Sequence, residues 1–185
     1  MSSARKIAFL DRDGTLIETR VVDGLPHPVH GAHHTAIIDG VAEGCARLRA
    51  AGFALVMVTN QPDVARGTVD RAMVDAANAE IVDALELDLS LVCYHDDADH
   101  CLCRKPRPGM LFDGADRLGV ELDRSSVMIG DRWRDVDAGR AAGVTSVLIE
   151  RGYRELVPHR PNAVVTSFEA AVGWILAADR SAVAT

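Results

Sequence analysis

Residues 9–17 read FLDRDGTLI, and two aspartates, Asp11 and Asp13, stand one residue apart where an apolar run ends. The run, Ile7–Leu10, is short and wholly apolar, the pattern of a strand covered on both faces in a parallel sheet. Runs of the same kind recur at Phe53–Val58, Leu89–Cys93, Val127–Ile129 and Thr145–Ile149, with a weaker one at Ala163–Val165.

Helical spacing fills the intervals. Asp39 is placed to cap a helix with Val41, Cys45 and Leu48 on one face and Gly52 just past its end. Thr68 is placed to cap a second, where Met73, Ala77, Ile81 and Leu85 recur every fourth residue. Pro108 fits the first turn of a third that stops at Gly119. Asp135 opens a short fourth ended by Gly143, Ser167 opens a fifth, and 177–185 reads as a frayed tail. This alternation with short joints predicts one doubly wound α/β domain over 1–185, with its core in 5–176 and helices on both faces of a parallel sheet. Only 18–38 and 94–107 are long and irregular, and neither is long enough for a large cap domain.

The 185 residues suit a single core, and 48% apolar with 25% charged residues is the composition of a soluble globular chain. A net charge of −7 argues against general affinity for nucleic acid or anionic membrane. No apolar run is long enough to span a bilayer. The first residues, MSSARKIAFLDRDG, lack a signal-peptide core, so the chain is expected to be cytoplasmic. Its four cysteines then read as thiols or metal ligands rather than disulfides. No obligate protein partner is indicated.

Ligands of open α/β sheets bind beyond the carboxyl ends of the strands, so polar residues at those ends are the candidates. They are Asp11, then Thr59 and Asn60, then Asp131 with Asp135 one helical turn on. Lys105 joins them, one of only two lysines among 20 basic residues. A lone Asp-Gly-Thr is an ordinary turn and a lone Asp135 an ordinary cap. Three carboxylates gathered at one edge are costly unless a cation compensates them.

Mg²⁺ would do so, with Asp11 and Asp131 as side-chain ligands and a backbone carbonyl near Asp13 as a third. Lys105 offers a point charge for phosphate and Thr59 a neutral donor. Such equipment suits phosphoryl transfer, in which Asp11 attacks phosphorus. Asp13 protonates the leaving oxygen and then takes a proton from water.

The stretch CYHDDADHCLCRKP pairs Cys93 with His95 and, five residues on, Cys101 with Cys103. Three thiolates and one imidazole make a closed, structural Zn²⁺ site, whereas the plainer reading is a reduced, metal-free loop. His100 is an alternative ligand, but the pair spacing favours His95. Cys45 belongs to a helix face. A zinc here would pin the backbone that aims Lys105.

DRDGTLI, VTNQ, Lys105 with its following proline, and GDRWRDVDAG resemble the ordered motifs of the haloacid dehalogenase superfamily of phosphatases. The resemblance covers 7–150. It implies a Rossmann-like sheet of order 5-4-1-2-3, a nucleophile at Asp11, an acid/base at Asp13, phosphate contacts from Thr59 and Lys105, and Mg²⁺ held by Asp11, Asp13 and Asp131 with Asp135 in support. The cysteine loop, FALVMVTNQ, Ala65–Gly67 and CRKPRPGML are similar to the branch acting on heptose bisphosphates, related to the histidinol-phosphate enzymes. That likeness implies a small phosphorylated sugar as substrate, cut at its 7-phosphate, with histidinol phosphate or another small phosphomonoester as the alternative, and substrate contacts from Asn60, Gln61, Arg66, Arg104 and Arg132.

This chain departs from the branch in a long segment with His27, His30, His33 and His34, which reads more readily as a solvated loop than as a metal site. It departs again at Pro62 and Asp63, and at Arg132 where many relatives have lysine. A receiver domain would order its acidic groups differently. A zinc-built nucleic-acid binder is opposed by the acidic charge.

Overall fold

Each apolar run forms a strand, and each strand's alternate residues pack on opposite faces of one sheet. The computed structural model describes residues 6–27, 36–156 and 159–183. Strands β1 (Lys6–Leu10), β4 (Phe53–Asn60), β5 (Leu89–Cys93), β6 (Val127–Gly130), β7 (Thr145–Ile149) and β8 (Ala163–Val165) make the sheet, all in parallel. A separate hairpin pairs β2 (Arg20–Val22) with β3 (Leu25–His27).

The sheet order is β5-β4-β1-β6-β7-β8. Read from the other edge it is the expected 5-4-1-2-3 order, with the weak sixth strand added beside the fifth. From β1 the chain winds outward through β4 and β5, then crosses back to β6 on the other side. The winding therefore reverses between β1 and β6, where an open α/β sheet leaves a crevice. Asp11 follows β1 and Asp131 follows β6, so the crevice opens between them.

Helices cover both faces. Ala8, Leu10, Leu55, Met57, Ile129 and Val147 face α1 (Val41–Ala50), α3 (Arg71–Leu85) and α6 (Phe168–Val183). Ile7, Phe9, Val56, Val58, Leu91 and Met128 face α4 (Gly109–Leu118) and α5 (Trp133–Ala141). Covering both faces is why these strands are apolar throughout: each fully buried large side chain stabilises the fold by about 1.5–3 kcal/mol. The four-residue α2 (Pro62–Ala65) and a 3-10 turn at Asp97–Asp99 complete the elements among the described residues.

Several helix ends differ from expectation. α1 is capped by Gly40, whose φ of 82° suits glycine, and not by Asp39. The Ile38 N–H pairs with the Leu16 carbonyl, so the chain turns one residue later and still delivers Val41, Cys45 and Leu48 to the core. α3 is capped by Asp70, which accepts from the Ala72 N–H at 2.8 Å, while Thr68 donates to the Asp63 carbonyl. Its buried face is Val74, Ala77, Asn78, Ile81 and Leu85, with Met73 56% exposed. α5 begins at Trp133, and Asp135 lies inside its first turn. α6 continues to Val183, past the point expected to fray. His30, His33 and His34 lie outside the described residues.

Candidate active site

Lys105 stands at the centre of the crevice and is 2% exposed. Its Nζ donates to Asp11 Oδ1 at 2.6 Å and to the Val58 carbonyl at 2.7 Å, and lies 2.6 Å from Asp135 Oδ1. Asp11, Asp131 and Asp135 are all buried, each with a carboxylate oxygen within 4.8 Å of the others. The ammonium thus pairs with Asp11 and Asp135, while the third carboxylate, Asp131, has no cation in ion-pair contact among the described residues.

The strain appears in the acidities. Burial pushes Asp11 up to about 6, with Asp135 adding to the rise and Lys105 opposing it. Asp131 is raised as well, by burial first and then by Asp11 and Asp135. Burial works against charge on Lys105, but Asp11 and Asp135 together hold it above the ordinary lysine value. Asp131 Oδ1 is buried without a hydrogen-bond partner. An orphaned carboxylate oxygen in a buried cluster of three carboxylates fits a hard divalent cation such as Mg²⁺. Gly130 makes the crowding feasible, because a Cβ there would stand 2.3 Å from Asp135 Cβ.

Asp13 lies outside that carboxylate cluster. Arg12 grips both of its oxygens at 3.0 Å, and Arg12 Nη1 is anchored on Asn78 Oδ1 at 2.9 Å. Gln61 Nε2 reaches Asp13 Oδ2 and Thr59 Oγ1, each at 2.9 Å. Asn60 clamps the backbone of Lys105, its Nδ2 donating to the Lys105 carbonyl at 3.0 Å and its Oδ1 accepting from the Lys105 N–H at 3.1 Å. Asn60 and Gln61, expected to touch substrate, hold the lysine and the second aspartate.

Asp11, Asp13, Thr59 and Lys105 line a cavity of about 320 Å³. Arg66, Arg104, Arg132 and Arg134 also line it, as do Pro26 and His27 from the hairpin. Each of the four arginines has an acidic partner: Arg66 on Asp96 and Asp63, Arg104 and Arg134 on Asp97, Arg132 on Glu155. A larger groove of about 450 Å³ between α3, β5 and α4 contains none of the carboxylates at the crevice.

The cysteine loop brings its four expected ligands together. Cys93 Sγ is 3.6 Å from Cys101 Sγ and 3.3 Å from Cys103 Sγ, with Cys101 and Cys103 3.5 Å apart. His95 Nδ1 is 3.6 Å from Cys93 Sγ and 3.4 Å from Cys103 Sγ. A tetrahedral zinc with sulfur at about 2.3 Å and nitrogen at about 2.0–2.1 Å spaces its sulfurs about 3.8 Å apart and sulfur from nitrogen about 3.6 Å. The cluster fits such an ion. Cys45 is buried on α1 and takes no part. Arg104 closes the loop, donating from Nε to Asp97 Oδ1 at 2.8 Å and from Nη1 to the His95 carbonyl at 3.3 Å.

Sequence reasoning missed Arg12, Arg134 and Tyr153. Arg134 Nη1 lies 3.4 Å from the Lys105 carbonyl, and the Tyr153 hydroxyl donates to Asp131 Oδ2 at 2.7 Å. Arg12 stands inside the Asp-x-Asp motif and could have been asked about. Tyr153 lies in a loop with no motif.

Comparison with known proteins finds relatives that match along most of the chain. Residues 102–171 match a family model described as HAD-hydrolase-like. The D-glycero-beta-D-manno-heptose-1,7-bisphosphate 7-phosphatase of Yersinia pestis is 34% identical, over 95% of this chain and 92% of its own length. The enzyme of that name from Vibrio cholerae is 36% identical over 80% and 83%. Among solved structures, D,D-heptose 1,7-bisphosphate phosphatase from B. bronchiseptica, complexed with magnesium and phosphate, superposes with a TM-score of 0.77 at 30% identity, covering 93% of this chain and 98% of that one.

Proposed function

The chain belongs to the HAD-like hydrolases and is a phosphatase of that family, and from this we propose that it removes the 7-phosphate of a heptose 1,7-bisphosphate. In this reading Asp11 is the nucleophile. A carboxylate oxygen of Asp11 attacks phosphorus, the bond from phosphorus to the sugar oxygen breaks, and the Asp13 carboxyl gives that oxygen a proton. Asp13 then takes a proton from water as the water attacks phosphorus, and the bond to Asp11 breaks to release phosphate. Thr59 and Lys105 hold the phosphoryl oxygens.

Asp11, Asp131 and a carbonyl near Asp13 would hold Mg²⁺, with Asp135 supporting through Lys105. When bound, the ion neutralises charge on the phosphoryl group and the carboxylates. The observation that carries this reading is the orphaned Asp131 Oδ1 within the buried carboxylate cluster. Cys93, His95, Cys101 and Cys103 would hold Zn²⁺ as a closed structural site. Hydrolysis rather than transfer is supported because the insertion after the first motif, 18–38, is too short to form a large cap domain that would keep water out. The arginines of the cavity would receive the anionic substrate, and its sugar face would meet the hairpin. A biosynthetic role of this kind fits a cytoplasmic enzyme.

The test is phosphate release with Mg²⁺ across a panel containing both anomers of D-glycero-D-manno-heptose 1,7-bisphosphate, histidinol phosphate and simple phosphomonoesters. One phosphate released per heptose bisphosphate, with the highest kcat/KM in the panel, is the expected result. A higher kcat/KM for histidinol phosphate would contradict the heptose assignment while leaving phosphatase chemistry intact.

A further inference from the structure

Residues 151–155, RGYRE, follow β7 and reach back over the carboxyl ends of β1 and β6. Arg151 donates from Nε and Nη2 to the Gly14 carbonyl at 3.1 and 2.9 Å. The Tyr153 hydroxyl donates to Asp131 Oδ2 at 2.7 Å. The Arg154 N–H meets the Gly24 carbonyl of the hairpin at 2.7 Å, and Glu155 holds the Arg132 guanidinium. One short loop thus grips the peptide after Asp13 and the carboxylate after β6.

The Tyr153 contact divides the Asp131 carboxylate unequally. Oδ2 is satisfied by a neutral donor, while Oδ1 is buried with no partner. Room for the bond comes from Gly14, because a Cβ there would lie 1.9 Å from Asp131 Oδ2 and 2.9 Å from the Tyr153 hydroxyl. Such a carboxylate offers a metal one oxygen. Mg²⁺ takes single carboxylate oxygens in a tight octahedron, whereas Ca²⁺ is larger, takes more ligands and readily uses both oxygens of one carboxylate.

We propose that the Tyr153 hydroxyl holds Asp131 as a one-oxygen metal ligand and thereby biases the site toward Mg²⁺ over Ca²⁺. The inference rests on the reading of Asp11 and Asp131 as metal ligands. Tyr153 is a positioning residue: it acts through Asp131 and fixes which oxygen is offered, as outer partners of metal ligands commonly do.

Calorimetric titration of the full chain with Mg²⁺ and, separately, with Ca²⁺ tests this, comparing wild type with Tyr153→Phe and Tyr153→Leu, each checked for folding by circular dichroism. Wild type should bind Mg²⁺ more tightly than Ca²⁺. Loss of the hydroxyl should raise the Mg²⁺ Kd about tenfold, the range seen when outer-shell partners are removed. The Ca²⁺ Kd should rise less or fall, so the ratio of the two shifts toward Ca²⁺. Equal weakening of both ions would mean a general structural role and overturn the proposal, as would unchanged affinities. Wild type that binds Ca²⁺ as tightly as Mg²⁺ overturns it even if neither variant folds. Wild type that binds neither ion overturns the underlying metal reading, a different outcome from wild type that binds Mg²⁺ with an unshifted Tyr153→Phe.

Discussion

The Lys105 ammonium meets three oxygens and almost no solvent, so removing it strands Asp11 and Asp135 as buried charges without a counter-ion. Breaking a buried pair from one side costs about 3–5 kcal/mol. Lys105→Met should lose stability on that order in Mg²⁺-free buffer, read as a lower urea midpoint, and should release little phosphate. Lys105→Arg keeps the charge, but a planar guanidinium fork does not fit a seat with three convergent oxygens. It should be more stable than the Met variant yet still impaired in turnover, and full activity in the Arg variant would contradict the role given to this seat. Asn60 matters at the same scale, because its amide holds both backbone polar groups of Lys105 and so sets where the ammonium can reach.

The element that delivers Lys105 is the loop leaving β5. Cys93 is fully buried at the strand end, its carbonyl accepting from the Gln61 N–H at 2.7 Å, while Cys101 and Cys103 sit just before Arg104 and Lys105. A metal joining these cysteines would tie the strand to the lysine across an otherwise irregular stretch. Cys101→Ser should therefore lower phosphate release while Mg²⁺ still binds, and elemental analysis should find one zinc per wild-type chain. Chelator-treated protein that regains full activity with Mg²⁺ alone would contradict this role.

Strands and ligand spacings at this scale were legible in the sequence because burial on both faces makes a strand uniformly apolar, and four soft ligands within eleven residues have few other uses. The starts of α1 and α3 were not. Asp39 and Thr68 are good capping types, but tertiary demands chose Gly40 and Asp70, since the first turn must deliver Val41 and Val74 inward.

Across the whole molecule, the reversal of winding between β1 and β6 sets Asp11 beside Asp131, and β4 brings Thr59 and Asn60 alongside. Those residues were legible because strand ends in such a sheet converge, so position in the motif order predicts position in space. Arg12 on Asp13 and Tyr153 on Asp131 were not, because a loop side chain's reach depends on three-dimensional packing that no local pattern encodes. The central claim is that this edge performs phosphoryl transfer through Asp11. The most direct measurement is phosphate release from heptose 1,7-bisphosphate with saturating Mg²⁺, comparing wild type with Asp11→Asn after circular dichroism has shown both folded. The account predicts steady turnover by wild type and no release above background by Asp11→Asn. Turnover near the wild-type rate in the folded Asp11→Asn protein would contradict it.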